Sequence, residues 1–150
     1  MNRCELAHEY HKRGFNCCQS VVAAFHDITG LSEQDSFNVA SGFGSGAGTG
    51  ELCGALVGGI MALNLLHPTD LTDPVGSKKR SVALSKELQA RFKERFGYVR
   101  CQDLLANKQE DDSKITAAKA MGLTVHCQIM VVTAVEIVEE MLAEEQESAQ

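Results

Sequence analysis

The sequence predicts an all-α fold, a single-domain bundle of about six or seven helices over residues 1–150 with one glycine-rich loop. Three observations carry this. Apolar residues recur at helical spacing, in Leu84, Leu88, Phe92 and Phe96 and again in Ile129, Val132, Ile137 and Met141. Residues that cap or stop helices punctuate the chain at Asn16, Gly30, Ser32 and Gly97. The one alternating segment, GFGSGAGTG from Gly42 to Gly50, alternates on glycine and has no β-branched run beside it. Glycine is depleted in strands, so this segment reads as a loop.

Taken in order, Glu5 to Lys12 reads as a short helix stopped by Gly14. Asn16 caps a second helix, with Val21, Val22 and Phe25 on its apolar side, that closes at Gly30. Ser32-Glu33-Gln34-Asp35 resembles a capping box and opens a third, which runs until the glycines begin at Gly42. A fourth covers Glu51 to Leu66. Glycine inside a helix costs about 1 kcal/mol relative to alanine. Gly54 and Gly58, four apart with Ala55, Gly59 and Ala62 beside them, therefore mark a face for close approach of another helix.

After the turn HPTDLTDP comes an amphipathic helix from about Ser77 to Phe96. A short helical turn from Cys101 to Ala106, the polar stretch NKQEDDSK and a brief helix to Gly122 lead to a long last helix opened by Thr124. Its acidic end, from Glu139 through Glu147, lies where the helix macrodipole disfavours negative charge. Residues 143–150 are therefore expected to fray as a solvated, mobile end.

Composition removes several functions. A chain of 150 residues can bury roughly 70% of its unfolded surface without a staple. With 44% apolar residues, 5% aromatics and no tryptophan, its core is mostly aliphatic. A net charge of -6 and the absence of a long basic run argue against nucleic acid, which binds through Lys and Arg on phosphates. The longest apolar run, Leu52 to Leu66, falls short of the ~20 residues that span a bilayer, so no membrane insertion is expected. The N-terminus lacks the apolar core of a signal peptide, which makes a cytoplasmic location and reduced thiols the expectation. Six cysteines are an unusual load there. A secreted disulfide framework does not fit, and metal binding or redox chemistry becomes the leading class.

Four of the cysteines share a local setting. Cys17 follows the N-cap Asn16, Cys53 lies in a first turn after Gly50-Glu51, Cys101 starts the short helix and Cys127 follows Thr124 by three. Unpaired N–H groups and the positive dipole end at such positions lower a thiol pKa from about 8.5, and thiolate is both the nucleophile and the metal ligand. The bland alternative is a small apolar filler, since free cysteine is among the most buried residue types. Spacing does not decide between them, because no CxxC occurs. His8 and His11 share a face but lack the HExxH pattern, and are expected at the surface. His126 adjoins Cys127 yet points about 100° away on a helix. The glycine loop lacks both GxxxxGK and a preceding strand, which sets phosphate binding aside.

The segment Cys53-Gly54-Ala55-Leu56-Val57-Gly58 carries the pattern CGAxxG. Phe15-Asn16-Cys17-x-Gln19 precedes it before an apolar helix, a glycine-rich loop stands just ahead, and isolated cysteines follow at Cys101 and Cys127. In these features, from about Phe15 to Met141, the chain resembles the C-GCAxxG-C-C family of small proteins named for its cysteines. The resemblance implies a helical protein with four family cysteines and a redox role. A related domain in the split-Soret cytochromes is associated with an iron-sulfur centre. Haem does not carry over, since no CxxCH is present. Cys18 stands where the family more usually has a small residue, and Cys17 is chosen as the family cysteine from its place after Phe-Asn. Cys4 has no family counterpart.

The leading expectation is that Cys17, Cys53, Cys101 and Cys127 converge and bind an iron-sulfur cluster, [2Fe-2S] favoured, for electron transfer with a partner protein or for sensing. Gly44, Gly46, Gly48, Gly50 and Gly54 would offer backbone N–H groups to its sulfurs. Alternatives are a metal-free dithiol/disulfide oxidoreductase using two of the four thiols, a structural zinc site on the same ligands, and inert buried cysteines.

Overall fold

The computed structural model describes residues 1–108 and 111–149. Gln109 and Glu110, in the polar stretch, and Gln150, in the acidic end, lie outside the described residues. Among the described residues the protein is all-α, with a single isolated bridge between Leu52 and Arg100 in place of any strand. The helices are α1 (Arg3–Lys12), α2 (Cys17–Ala23), α3 (His26–Thr29), α4 (Glu33–Ala40), α5 (Gly54–Leu65), α6 (Pro74–Phe96), α7 (Cys101–Ala106), α8 (Thr116–Ala120) and α9 (His126–Ala149). A 3₁₀ turn, Asp112–Lys114, brings the number to ten, against the expected six or seven. The main cause is a break at Phe25 (φ -107°, ψ 10°), whose fully buried ring leaves the axis of α2 and separates it from α3.

Side-chain caps fix the starts of α2, α4 and α6. Asn16 Oδ1 accepts from the Gln19 N–H at 2.8 Å while Gln19 Oε1 accepts from the Asn16 N–H at 2.9 Å, a reciprocal box that sets Cys17 as the first residue of α2. Ser32 Oγ caps α4 through the Asp35 N–H at 3.0 Å. Helix α6 begins one turn earlier than Ser77. Asp73 accepts the Gly76 N–H at 3.0 Å, and proline at the first helical position needs no hydrogen bond for its nitrogen.

Helix α9 is the centre of the fold. Its residues from Ile129 to Val135 are all buried, so the helix is apolar on every side there, and α1, α2, α5, α6 and α8 pack around it. Each fully buried Val, Ile or Met contributes about 1.5–3 kcal/mol. Its acidic end remains helical to Ala149, where fraying was expected. Arg95 of α6 takes Glu136 at 2.6 Å and Glu140 at 2.8 Å, Arg91 forks onto Glu144 at 3.1 and 2.6 Å, and His67 meets Glu145 at 2.9 Å. Cations from α6 supply what the macrodipole withholds. No helix of the described residues is long and apolar enough to cross a membrane.

Helices α2 and α5 lie close together because α5 turns its glycines toward α2. A Cβ at Gly58 would sit 2.9 Å from the Cys18 carbonyl oxygen and 2.9 Å from Val21 Cβ. The glycine loop ahead of α5 is wound rather than open. Ser45, Gly46, Ala47 and Gly48 are all left-handed, with φ of 55°, 61°, 58° and 75°. Left-handed backbone costs a residue with a Cβ roughly 1–2 kcal/mol. Ala47→Gly is expected to raise the unfolding free energy by about 1 kcal/mol in urea titrations. An unchanged or lower value would show that Ala47 is not strained.

Candidate functional site

Four segments bring the family cysteines to one region. Glu51 to Cys53 runs antiparallel to Val99 to Cys101, with the Cys53 N–H donating to the Val99 carbonyl at 2.9 Å and the Cys101 N–H to the Glu51 carbonyl at 2.6 Å. Arg100 and Glu51 close the outside of this clamp through a forked ion pair at 3.0 and 3.2 Å. Cys53, the N-cap of α5, and Cys101, the first residue of α7, are thereby held as a pair. Cys17, first in α2, and Cys127, second in α9, form the other pair, each shifting the other's titration. Electrostatic coupling links the two pairs: Cys17 feels Cys53 and Cys101 as well as Cys127, and Cys53 feels Cys101 and Cys127.

All four positions lie at helix starts, as read from the sequence, yet the expected depression of their pKa values does not follow. Burial is the main cause at two of them. Cys53, 2% exposed, is pushed up to about 11 by burial, against the backbone N–H groups of Leu56 and Ala55, which pull the other way. Cys101 is raised by burial and by the charge of Cys127. Cys17 and Cys127 titrate together: Cys127 first, then burial, raises Cys17, while Cys127 is lowered, chiefly by Cys17, with Lys108 adding a cationic field against the cost of burial. The first proton of this pair leaves more readily than an ordinary thiol's and the second less readily.

The remaining cysteines point elsewhere. Cys18 is fully buried with its sulfur 3.6 Å from the Met61 thioether, so of the two adjacent cysteines only Cys17 joins Cys127. Cys4 lies between α1 and α9, 3.7 Å from the Val132 carbonyl oxygen and 3.9 Å from Glu139 Oε1.

The glycines divide by role. Positions for a Cβ at Gly44 and Gly46 are occupied by Asn16, at 2.6 Å, and by the Glu51 backbone. Gly50 lies beside Gln102, and Gly48 faces open space. Gly54 faces the Phe43 carbonyl oxygen at 2.7 Å and Cys17 Cβ at 3.4 Å, so this hallmark glycine is where α5 touches the start of α2. The N–H groups that reach a cysteine sulfur belong to Ala55 and Leu56, beyond the loop.

His11 corrects a sequence expectation. It is half-buried on α1, with Nε2 3.7 Å from Cys17 Sγ and Nδ1 enclosed without a partner. Burial, with His8 nearby, holds its pKa below the usual imidazole range. No local pattern marks it, because the contact depends on how α1 folds back on α2. His8 instead meets Gln128 Oε1 at 3.2 Å. His126 faces away from the thiols, onto the Leu104 carbonyl oxygen at 3.1 Å and the edge of Phe96.

Such a site has two chemical capabilities. Four sulfurs can hold an inorganic centre, or a protonated thiol beside a thiolate can exchange with a disulfide. Among the described residues, no three His, Cys, Asp or Glu side chains are gathered as a single metal ion requires. Comparison with curated proteins and with solved structures returns no match. Residues 15–141 match the family described as "Putative redox-active protein (C_GCAxxG_C_C)", and in that stretch lie all four converging cysteines. With most of its length matched, the chain belongs to the C-GCAxxG-C-C family of redox-active proteins.

Proposed function

We propose that Cys17, Cys53, Cys101 and Cys127 hold a [2Fe-2S] cluster, and that the protein relays single electrons to and from a partner protein or senses redox state. The observation that supports this is the arrangement of the thiols as two pairs, Cys53 with Cys101 across the backbone clamp and Cys17 with Cys127 through their coupled titration. A two-iron cluster takes two thiolates on each iron, whereas tetrahedral zinc draws four sulfurs to about 2.3 Å from one ion. The donor set fits the group in type and number. When bound, the cluster supplies a one-electron centre. The chain itself contributes the four ligands, the Ala55 and Leu56 N–H groups at Cys53, and burial that keeps water from that sulfur. Cys17, Cys101 and Cys127 are half-buried while Cys53 is buried, so an electron partner would approach from the side of the first three.

A second reading is favoured by the coupling of Cys17 to Cys127 alone. Cys127 thiolate would attack a substrate disulfide, forming a mixed disulfide and releasing one substrate thiolate. Cys17, losing its proton, would then attack the Cys127 sulfur and release the second substrate thiol. The protein is left with a Cys17–Cys127 disulfide, oxidised by two electrons, and the substrate reduced by two.

Iron and acid-labile sulfide measured on protein purified without oxygen, with its visible spectrum, separate the two. Matched iron and sulfide that fall by at least about tenfold in Cys53→Ser but not in Cys4→Ser are the expected result, since one lost ligand breaks a four-thiolate set. A metal-free protein that cycles two thiols equally well with and without Cys53 would transfer the assignment to dithiol chemistry.

A further inference from the structure

The thiol region has one neighbour that neither its family cysteines nor its glycines account for. His11 Nε2 stands 3.7 Å from Cys17 Sγ, the ring is half-buried between α1 and α2, and Nδ1 is closed off from solvent without any hydrogen-bond partner. A buried imidazole nitrogen left unpaired is costly, so the ring is held there by something other than its own hydrogen bonding. Part of the restraint is the fold of α1 over α2, in which Tyr10 packs edge-on against Phe15 at 6.0 Å between ring centres.

The direction of the His11–Cys17 contact follows from the unpartnered Nδ1. With Nε2–H donating to the Cys17 sulfur, Nδ1 is a bare acceptor, whereas the reverse direction would leave a buried Nδ1–H without a partner. An orphan lone pair is the lesser cost, because unpaired buried N–H groups are rarer than unpaired acceptors. The donor is thus His11 Nε2–H and the acceptor the Cys17 sulfur. With Cys17 as a bound thiolate the sulfur has no proton at all, and the His11 donor role is unchanged.

We propose that His11 is a positioning residue of the sulfur centre, donating from Nε2 to Cys17 Sγ and thereby favouring the centre's reduced state. The inference rests on Cys17 belonging to the redox centre, as proposed above, and holds for either form that centre takes. Negative charge on the Cys17 sulfur rises when a thiolate-ligated cluster gains an electron, and reduction of a disulfide leaves one negative charge shared between the coupled Cys17 and Cys127. A donor on Cys17 therefore raises the potential in both cases.

The test compares the unaltered protein with His11→Phe, which fills the space without a donor, and His11→Gln, whose amide N–H can restore one. Iron and sulfide content is measured first, and it alone judges the cluster reading. Cluster-loaded protein is then titrated with dithionite in mediator dyes, and metal-free protein is equilibrated with glutathione redox buffers. The reduced form is expected to lose stability against the oxidised form by about tenfold in His11→Phe, the size of one hydrogen bond to a charged sulfur, with most of it regained in His11→Gln. Unchanged equilibria in His11→Phe at equal fold content by circular dichroism would overturn the proposal. Should the phenyl ring unfold the protein, His11→Ala replaces it under the same criterion. Equal losses in the Gln and donor-free variants would also overturn it, since packing alone would then explain them.

Discussion

Gly58→Val is expected to lower the unfolding free energy by about 3 kcal/mol or more, seen as a lower urea midpoint with the denaturant slope unchanged. At this point α5 crosses α2 with a glycine where a Cβ would lie 2.9 Å from a backbone oxygen and 2.9 Å from Val21 Cβ. Neither neighbour is the free end of a flexible side chain. The Cys18 carbonyl is part of α2 itself, so relief requires moving a helix that also packs on α9. Overpacking a core by one or two methyl groups typically costs 1–3 kcal/mol, and valine adds a Cβ and two methyls at a site that already excludes the first. Gly58→Ala gains about 1 kcal/mol in helix propensity and so should cost less. The consequence reaches the thiols, because shifting α2 away from α5 carries Cys17 with it. If the thiols hold the proposed cluster, iron uptake should therefore fall in parallel with stability. A variant with unchanged stability would mean that α2 and α5 are farther apart than their glycines indicate.

Alkaline pH is the second large lever, through a cysteine outside the site. Cys4 is 8% exposed, and burial first, then Glu139 and Glu136, push its thiol up to about 12. An unfolded thiol loses its proton near pH 8.5. The folded value is raised, so the stabilising contribution is fully present below the unfolded pKa and is lost as pH rises toward the folded one. Between the two, the unfolded chain has released a proton that the native state retains, and ΔG of unfolding falls with pH by roughly 1.4 kcal/mol per unit for this one group. Urea stability measured from pH 9 to 11 should decline less steeply in Cys4→Ala by that slope, although the variant starts lower for want of the buried sulfur. Identical slopes in the two proteins would show that Cys4 titrates near its ordinary value when folded.

Both expectations concern features that differ in how far they can be read from the chain. Gly54 and Gly58 announced a close helix contact by their cost and spacing, and α2 fills it. Asn16 and Gln19 announced the start of α2, and so the first-turn position of Cys17, because a capping box is closed by residues three apart. The count of helices and the behaviour of the acidic end were less legible. Phe25 breaks a helix for the sake of its buried ring, and Glu136, Glu140 and Glu144 are neutralised by arginines some 40 to 50 residues earlier in the chain. Neither influence has a local signature.

By itself the sequence determined an all-α chain, the cap that puts Cys17 at the start of α2, the placing of Cys53, Cys101 and Cys127 at helix starts, and membership of a redox-active cysteine family. These follow from short-range forces: backbone hydrogen bonding within a turn, side-chain caps and the steric allowance of glycine. Tertiary structure decided which thiols meet, that burial raises Cys53 and Cys101 while Cys17 and Cys127 titrate as a coupled pair, and that His11 stands at the sulfur of Cys17. Those outcomes depend on desolvation and on contacts between helices far apart in sequence, and neither exists until α9 has gathered the other helices around it.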